Sequence, residues 1–266
     1  MPQLQWYISQ VGEYYKEHGI LLVDKIDIHT YPQASNVAFS SDEDAQAAYN
    51  RLQSTRSLYD PSYTDPSWIN QPVYILPLVK QWIAEYCPQL ELTVSEYNWG
   101  ADNIVTGAVA HAEVLSILAV QGVSTGARWV SPASGSRAED SFAILLNYDG
   151  EGTGVPSRVL NISTSSIEEV TAYGFYGPAV MAGSSSDSDG EDKLCILLIG
   201  KTRDEAADVS IDLRTVDGFA QGSYEVFGFN ESQRLGPMGS STYSSGMLEY
   251  TVEPYSATLL VITPSL

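Results

Sequence analysis

The chain has 266 residues, of which 44% are hydrophobic, so it can bury a sizeable core and is not intrinsically disordered. It carries 33 acidic against 13 basic side chains, a formal net charge of -20. This charge repels phosphate backbones and anionic headgroups, so we expect neither nucleic acid nor a membrane as a partner. A neutral glycan meets no such repulsion, and the 17 tyrosines suit sugar rings, although Tyr-rich sheets are also common.

The first 150 residues alternate between helical and strand patterns. The pattern predicts helices over residues 4–18, 42–57, 73–86, 102–121 and 141–148, and strands over residues 20–29, 90–95 and 126–130. Strands that alternate with helices are typical of parallel βαβ units. Three strands are too few for a (β/α)8 barrel, which needs eight. We therefore predict the C-terminal part of a TIM-like barrel over residues 1–155.

The remaining residues have a different sequence pattern. Short β-rich runs separated by Gly, Ser, Asp and Pro turns predict an antiparallel β-sandwich over residues 156–266, so the fold class is α/β plus all-β. The runs lie at residues 168–176, 193–201, 208–213, 223–229, 247–252 and 258–263. The acidic segment 184–192 has a loose likeness to a calcium loop but lacks the full ligand series. A solvated hairpin loop is the preferred interpretation there, and no cofactor is expected beyond a possible structural calcium.

The first predicted strand ends in polar and aromatic groups that share one face. Residues alternate in direction along a strand, so Asp27, His29 and Tyr31 lie on the same side. Barrel active sites are built at the C-terminal ends of the strands. A histidine hydrogen-bonded within the barrel core is the alternative, but three such groups on one face favour function.

Glu96 is the strongest candidate for chemistry. It follows the apolar strand residues Leu92 and Val94, and a carboxylate there is unfavourable unless it is partnered or used. A salt bridge or a cap for the next helix is the structural alternative. Asn98 is close enough in sequence to contact an anion or a sugar, and Gly100 permits a sharp exit from the strand.

Two tryptophans are candidate platforms for sugar rings. Trp129 follows the third strand, where packing under a loop is the alternative, and Trp68 lies in a Pro- and Tyr-rich loop, where a loop anchor is the alternative. Cys87 and Cys195 show neither metal nor redox spacing, and two buried free thiols are expected.

Six motifs occur in the order and rough spacing of one enzyme family. They are Asp27-Ile28-His29-Thr30-Tyr31-Pro32-Gln33, Asp60-Pro61-Ser62-Tyr63 with Trp68-Ile69-Asn70, Ser95-Glu96-Tyr97-Asn98-Trp99-Gly100, Arg128-Trp129, Asn147-Tyr148-Asp149-Gly150-Glu151-Gly152 and Pro254-Tyr255-Ser256-Ala257-Thr258-Leu259-Leu260. In these motifs the chain resembles glycoside hydrolase family 44. The resemblance covers most of the chain and weakens over residues 153–192.

The resemblance implies a TIM-like barrel plus a β-sandwich and retaining cleavage of β-1,4-glucans, including cellulose derivatives and xyloglucan. It implies that Glu96 is the nucleophile on strand seven, that His29 and Tyr31 bind sugar from strand six, and that Trp129 and Trp68 line the cleft. The family's acid/base glutamate belongs to an Asn-Glu-Pro motif on strand four, and this sequence contains no Asn-Glu-Pro. The resemblance thus implies the C-terminal portion of an enzyme, inactive alone.

Two other hypotheses stay open: a non-catalytic carbohydrate-binding protein, and an inert fragment that needs a further segment to fold. The first residues show neither a basic nor an apolar signal region, and no apolar run is long enough for a membrane span. Because polymeric glucan cannot enter a cell, we expect an extracellular protein whose signal peptide lies upstream. Two N-glycosylation sequons, at Asn161 and Asn230, are compatible with secretion but are near chance.

Overall fold

The structure is a computed structural model, and it describes residues 1–181 and 192–265. The chain has mixed helix and sheet content and packs as two compact units. One unit is Met1–Gly100 with Val114–Ser131, and the other is Ala101–Glu113 with Pro132–Leu266. The boundary predicted near residue 155 from composition stays a prediction.

The first unit contains a three-stranded parallel sheet in the order β1-β2-β3. Its strands are β1 (Lys25–Thr30), β2 (Glu91–Tyr97) and β3 (Thr125–Arg128). Its helices are α1 (Gln3–His18), α2 (Ala45–Gln53), a 3₁₀ helix (Ser54–Leu58), α3 (Ile75–Tyr86) and the later part of α4 (Val105–Val120), whose residues up to Glu113 belong to the second unit.

The predicted helix over residues 42–57 divides into α2 and the 3₁₀ helix, where Asp44 caps α2 by accepting hydrogen bonds from two backbone N–H groups. The strand predicted over residues 20–29 begins only at Lys25, because that residue pairs with the first residue of β2, Glu91. Ile20 and Leu22 lie before this pairing and are exposed, so their β propensity is overridden.

The second unit contains α5 (Arg137–Leu146) and antiparallel sheets. A six-stranded sheet has the order β11-β10-β13-β8-β6-β5, and two-stranded sheets pair β12 with β9 and β4 with β7. The strands are β4 (Thr153–Gly154), β5 (Arg158–Leu160), β6 (Val170–Gly177), β7 (Val180–Met181), β8 (Lys193–Gly200), β9 (Ala207–Asp212), β10 (Gly222–Phe229), β11 (Gly236–Tyr243), β12 (Met247–Val252) and β13 (Ser256–Pro264). The helix predicted over residues 141–148 begins earlier, after Ser136.

A hydrophobic core joins β8, β10 and β13 with β12. The buried members from β8 are Leu194, Ile196 and Leu198, and they cluster with Leu248 and Val252 of β12. The two central strands of the large sheet, β8 and β13, are buried along nearly their whole length, which explains their continuous apolar runs. The acidic segment 184–192 lies outside the described residues except for its last residue.

The second unit also holds a fully buried ion pair. Lys201 Nζ lies 2.7 Å from Glu113 Oε1, and neither side chain is exposed. The hydroxyls of Thr171 and Tyr173 donate to the same carboxylate oxygen at 2.6 and 3.1 Å. This network ties α4 to β6 and to the residue after β8, and it compensates the cost of burying both charges.

Candidate active site at the ends of the parallel strands

A β-bulge in the central strand shapes the candidate site. Ile28 pairs with Val94, but the next residue, His29, pairs with Glu96, so Ser95 is the extra residue on β2. The carboxylate of Asp27 accepts the Ser95 backbone N–H at 2.9 Å. The bulge interrupts the alternation of β2 and brings Glu96 beside the end of β1, where its side chain is 27% exposed.

The Glu96 carboxylate is held by two side chains, one from β1 and one from the residue after it. Tyr31 Oη donates to Glu96 Oε2 at 2.9 Å, and His29 Nδ1 lies 3.2 Å from the same oxygen. Burial and the hydrogen bond to Glu96 raise the pKa of Tyr31 to about 12, so its phenol keeps the proton that it donates at neutral pH. The structure therefore brings together three of the residues that the sequence singles out.

His29 is oriented from its other side by Asp27 and Ser95. Ser95 Oγ donates to Asp27 Oδ2 at 2.6 Å, so the serine oxygen is left to accept from His29 Nε2 at 3.1 Å. Burial alone would raise the pKa of Asp27, but hydrogen bonds from Ser95 and Thr93 outweigh it and lower the pKa below the usual 3.8. The His29 ring thus lies between the carboxylates of Asp27 and Glu96, with Nε2 3.6 Å from Asp27 Oδ2 and Nδ1 3.2 Å from Glu96 Oε2.

Asn98 connects the loop after β2 to β3. Its Oδ1 accepts the Gly100 N–H at 2.6 Å, and its Nδ2 donates to the Trp129 carbonyl. Arg128 Nη2 also lies 3.5 Å from Asn98 Oδ1. The Asn98 side chain is buried, and these hydrogen bonds connect the segments that follow β2 and β3. Contact between Asn98 and a substrate stays a prediction.

The two candidate platforms are open to solvent. Trp129 is 50% exposed and Trp68 is 83% exposed. Trp68 Nε1 donates to Gln33 Oε1 at 3.3 Å, which places its loop beside the turn that follows Tyr31. An exposed indole with a fixed polar edge is suited to stacking on a sugar ring.

Sequence patterns do not reveal the roles of Asp27 and Ser95 in holding His29, because these depend on the bulge. Among the described residues, no group of three or more His, Cys, Asp or Glu side chains has an arrangement that could hold a metal ion. Cys87 and Cys195 are both buried and free. Within the same described ranges, no helix is both long and apolar enough to cross a bilayer.

Comparison with protein-family models gives no match. The curated β-mannanase/endoglucanase A of Caldicellulosiruptor saccharolyticus is 30% identical over 249 residues, which is 86% of this chain and 18% of that protein. A crystal structure of a bifunctional glucanase-xylanase from a metagenome library matches with a TM-score of 0.87 and 28% identity, over 98% of this chain and 48% of that one. A Paenibacillus polymyxa xyloglucanase from glycoside hydrolase family 44, solved with xyloglucan, matches with a TM-score of 0.83 and 25% identity, over 98% of this chain and 51% of that one.

Over nearly its whole length, the chain is similar in sequence and in fold to solved enzymes of glycoside hydrolase family 44. It spans about half the length of the two solved structures, 48% and 51%, and a smaller share of the curated relative. The similarity to family 44 enzymes bears on the cluster around Glu96, because a glycoside hydrolase of the usual kind depends on paired carboxyl groups.

Proposed function

We propose that this chain is part of a retaining endo-β-1,4-glucanase that acts on cellulose-type glucans or xyloglucan, with Glu96 as the nucleophile. The observation that carries the proposal is the Glu96 carboxylate, held by Tyr31 and His29 where the parallel strands end. The curated endoglucanase and the xyloglucanase solved with its polysaccharide support the substrate class.

The geometry indicates which oxygen reacts. Both contacts that the described residues make to the Glu96 carboxylate reach Oε2. We therefore expect Oε1 to attack the anomeric carbon, forming a glycosyl ester as the bond to the leaving oxygen breaks. Tyr31 and His29 keep the carboxylate in one rotamer, which lowers the cost of reaching that geometry.

A retaining enzyme needs a second carboxyl group about 5–5.5 Å from the nucleophile to protonate the leaving oxygen and then activate water. Among the described residues, Asp27 lies beside His29, which in turn contacts Glu96. The Asp27 carboxylate already accepts hydrogen bonds from the hydroxyls of Ser95 and Thr93. We propose that the acid/base lies outside this chain, and that the chain alone does not hydrolyse glucan.

The same proposal covers the domain architecture of the chain and the cellular location of the protein. The parallel sheet of the first unit supports a partial (β/α)8 barrel, and the antiparallel sheets with a shared core support a β-sandwich. The action on polymeric glucan favours an extracellular protein. No cofactor is required for this chemistry, because two carboxyl groups suffice.

Trapping the glycosyl ester tests the nucleophile without needing an acid/base. The reagent is 2,4-dinitrophenyl 2-deoxy-2-fluoro-β-cellobioside, whose dinitrophenolate leaves unaided as an anion. Intact mass and peptide mapping should show one fluorocellobiosyl group on Glu96. Glu96→Gln should abolish labelling, whereas Glu91→Gln, an exposed carboxylate of the same strand, should not. Labelling elsewhere, or none on folded protein, would contradict the proposal.

A non-catalytic glycan-binding role is the second candidate, favoured by the exposure of Trp129 and Trp68. Isothermal titration with cello-oligosaccharides distinguishes the two. Binding that is lost in Trp129→Ala, together with no label on Glu96, would favour the binding role. A broad, non-cooperative melt with dye binding would instead indicate a fragment that does not fold alone.

A further inference from the structure

A buried arginine lies behind the loop that follows the candidate nucleophile. The side chain of Arg51, on α2, is fully buried. Its Nε donates to the carbonyl of Trp99 at 3.2 Å, and its Nη2 donates to the carbonyls of Asp42 at 3.0 Å and Ser40 at 3.5 Å. One guanidinium thus joins the backbone after β2 to the segment that leads into α2.

The same loop is attached at two further points. The ring of Trp99, itself fully buried, donates from Nε1 to Ser54 Oγ at 3.0 Å. Gly100 approaches the neighbouring backbone so closely that an added Cβ would lie 2.3 Å from the Val37 carbonyl oxygen and 2.5 Å from that of Ser40. The backbone beyond Glu96 is therefore fixed by contacts on one side.

Burying a guanidinium costs several kcal/mol of lost hydration, which hydrogen bonds must offset. Here burial lowers the pKa of Arg51, and the nearby acidic groups Asp42, Glu43 and Asp44 act in the opposite direction. A planar fork can donate to several carbonyls in fixed directions, which a lysine ammonium on its flexible stem cannot reproduce. The arrangement is specific to arginine.

We propose that Arg51 is a positioning residue for the glycosyl transfer at Glu96. It holds Trp99 and, through the adjoining Gly100 and the Asn98 amide, the carbonyl of Trp129. Loss of the hydrogen bonds from the Arg51 guanidinium would let the C-terminal end of β2 shift. Displacement of a reacting group by about 1 Å can cost up to a hundredfold in rate. This inference rests on the proposed role of Glu96.

Arg51→Lys tests the inference, with Arg56→Lys as the matched control. Arg56 is also buried, lies in the adjoining 3₁₀ helix, and pairs with Asp60 at 2.9 Å. The full chain is labelled with the fluorocellobioside at a temperature where all variants are folded, and kinact and KI are determined separately. Arg51→Lys should lower kinact at least about tenfold with KI changed less than about threefold, while Arg56→Lys should keep kinact within about twofold.

A second readout keeps the inference testable if the wild-type chain is not labelled. The chain has five tryptophans, so 5-fluorotryptophan gives a fluorine NMR spectrum that single Trp→Phe variants can assign. The signals of Trp99 and Trp129 should move in Arg51→Lys and stay in place in Arg56→Lys. No label on wild type contradicts the proposed function. Equal kinact in both variants, or unmoved Trp99 and Trp129 signals in Arg51→Lys, overturns the role of Arg51.

Discussion

At the scale of single residues, the hydroxyl of Tyr31 is the clearest support for the proposed nucleophile. Because it donates to Glu96 Oε2 at 2.9 Å, Tyr31→Phe removes one hydrogen bond without changing the ring. Because this hydrogen bond fixes the orientation of the carboxylate, and misplacement of a reacting group can cost up to about a hundredfold in rate, we expect the rate of Glu96 labelling to fall about tenfold or more. Tyr7→Phe, on an exposed part of α1, is the control and should label at the wild-type rate. Equal rates in both variants would contradict this role of Tyr31.

Sequence patterns find Glu96, His29 and Tyr31 because polar groups at the ends of apolar strands stand out against the alternation. Sequence patterns do not identify Arg51, since an arginine in a short amphipathic helix ordinarily faces solvent. Its burial depends on carbonyl groups from the segments around Ser40 and Trp99, which are distant in sequence. Contacts of this kind are set by tertiary packing.

At the scale of elements, substitutions at two glycines distinguish the cost of steric crowding from the cost of a left-handed backbone conformation. Gly19 and Gly100 have nearly the same φ, 68° and 69°, but an added Cβ meets nothing within 4 Å at Gly19 and two carbonyl oxygens at Gly100. Gly19→Ala should therefore cost about 1–2 kcal/mol, the usual penalty of this conformation. Gly100→Ala should cost at least about 2 kcal/mol more, measured by urea unfolding. Equal losses would show that the loop after β2 can move aside.

The buried ion pair of the second unit gives a further test at this scale. Glu113→Gln or Lys201→Met alone leaves one buried group without its charged partner, and each should cost about 3–5 kcal/mol. The double variant should be more stable than the sum of the single losses predicts, which a urea double-mutant cycle measures. Asp212→Asn, which breaks the exposed pair with Arg214, should have a much smaller effect. Additive losses would contradict coupling between Glu113 and Lys201.

Patterns predict the strands that carry a continuous or alternating apolar face, such as β8 and β13. They miss β11, which contains Gly236, Pro237 and Gly239 and lies at the edge of the large sheet. An edge strand pairs on one side only and can accept a proline, so its residues need little β propensity. Its position is determined by pairing with β10.

At the scale of the whole molecule, the sequence indicates a βαβ region followed by a β-rich region, and the structure contains both kinds of region in that order. The chain crosses between the two compact units at three points, one of which lies within α4 between Glu113 and Val114. No change in composition marks that point, because an apolar helix can supply contacts along its whole length. Packing determines the division there.

The whole-molecule prediction concerns catalysis by a chain that spans about half of its solved relatives. With a nucleophile but no acid/base, 2,4-dinitrophenyl β-cellobioside should give one burst of dinitrophenolate and then stall at the glycosyl ester on Glu96. Azide needs no general base, so it should attack the anomeric carbon, release the Glu96 carboxylate, and yield β-cellobiosyl azide at a rate that rises with azide concentration. Glu96→Gln should show neither burst nor azide product. Steady cleavage of carboxymethylcellulose or xyloglucan by the pure chain, abolished in Glu96→Gln, would show instead that the acid/base lies within these residues.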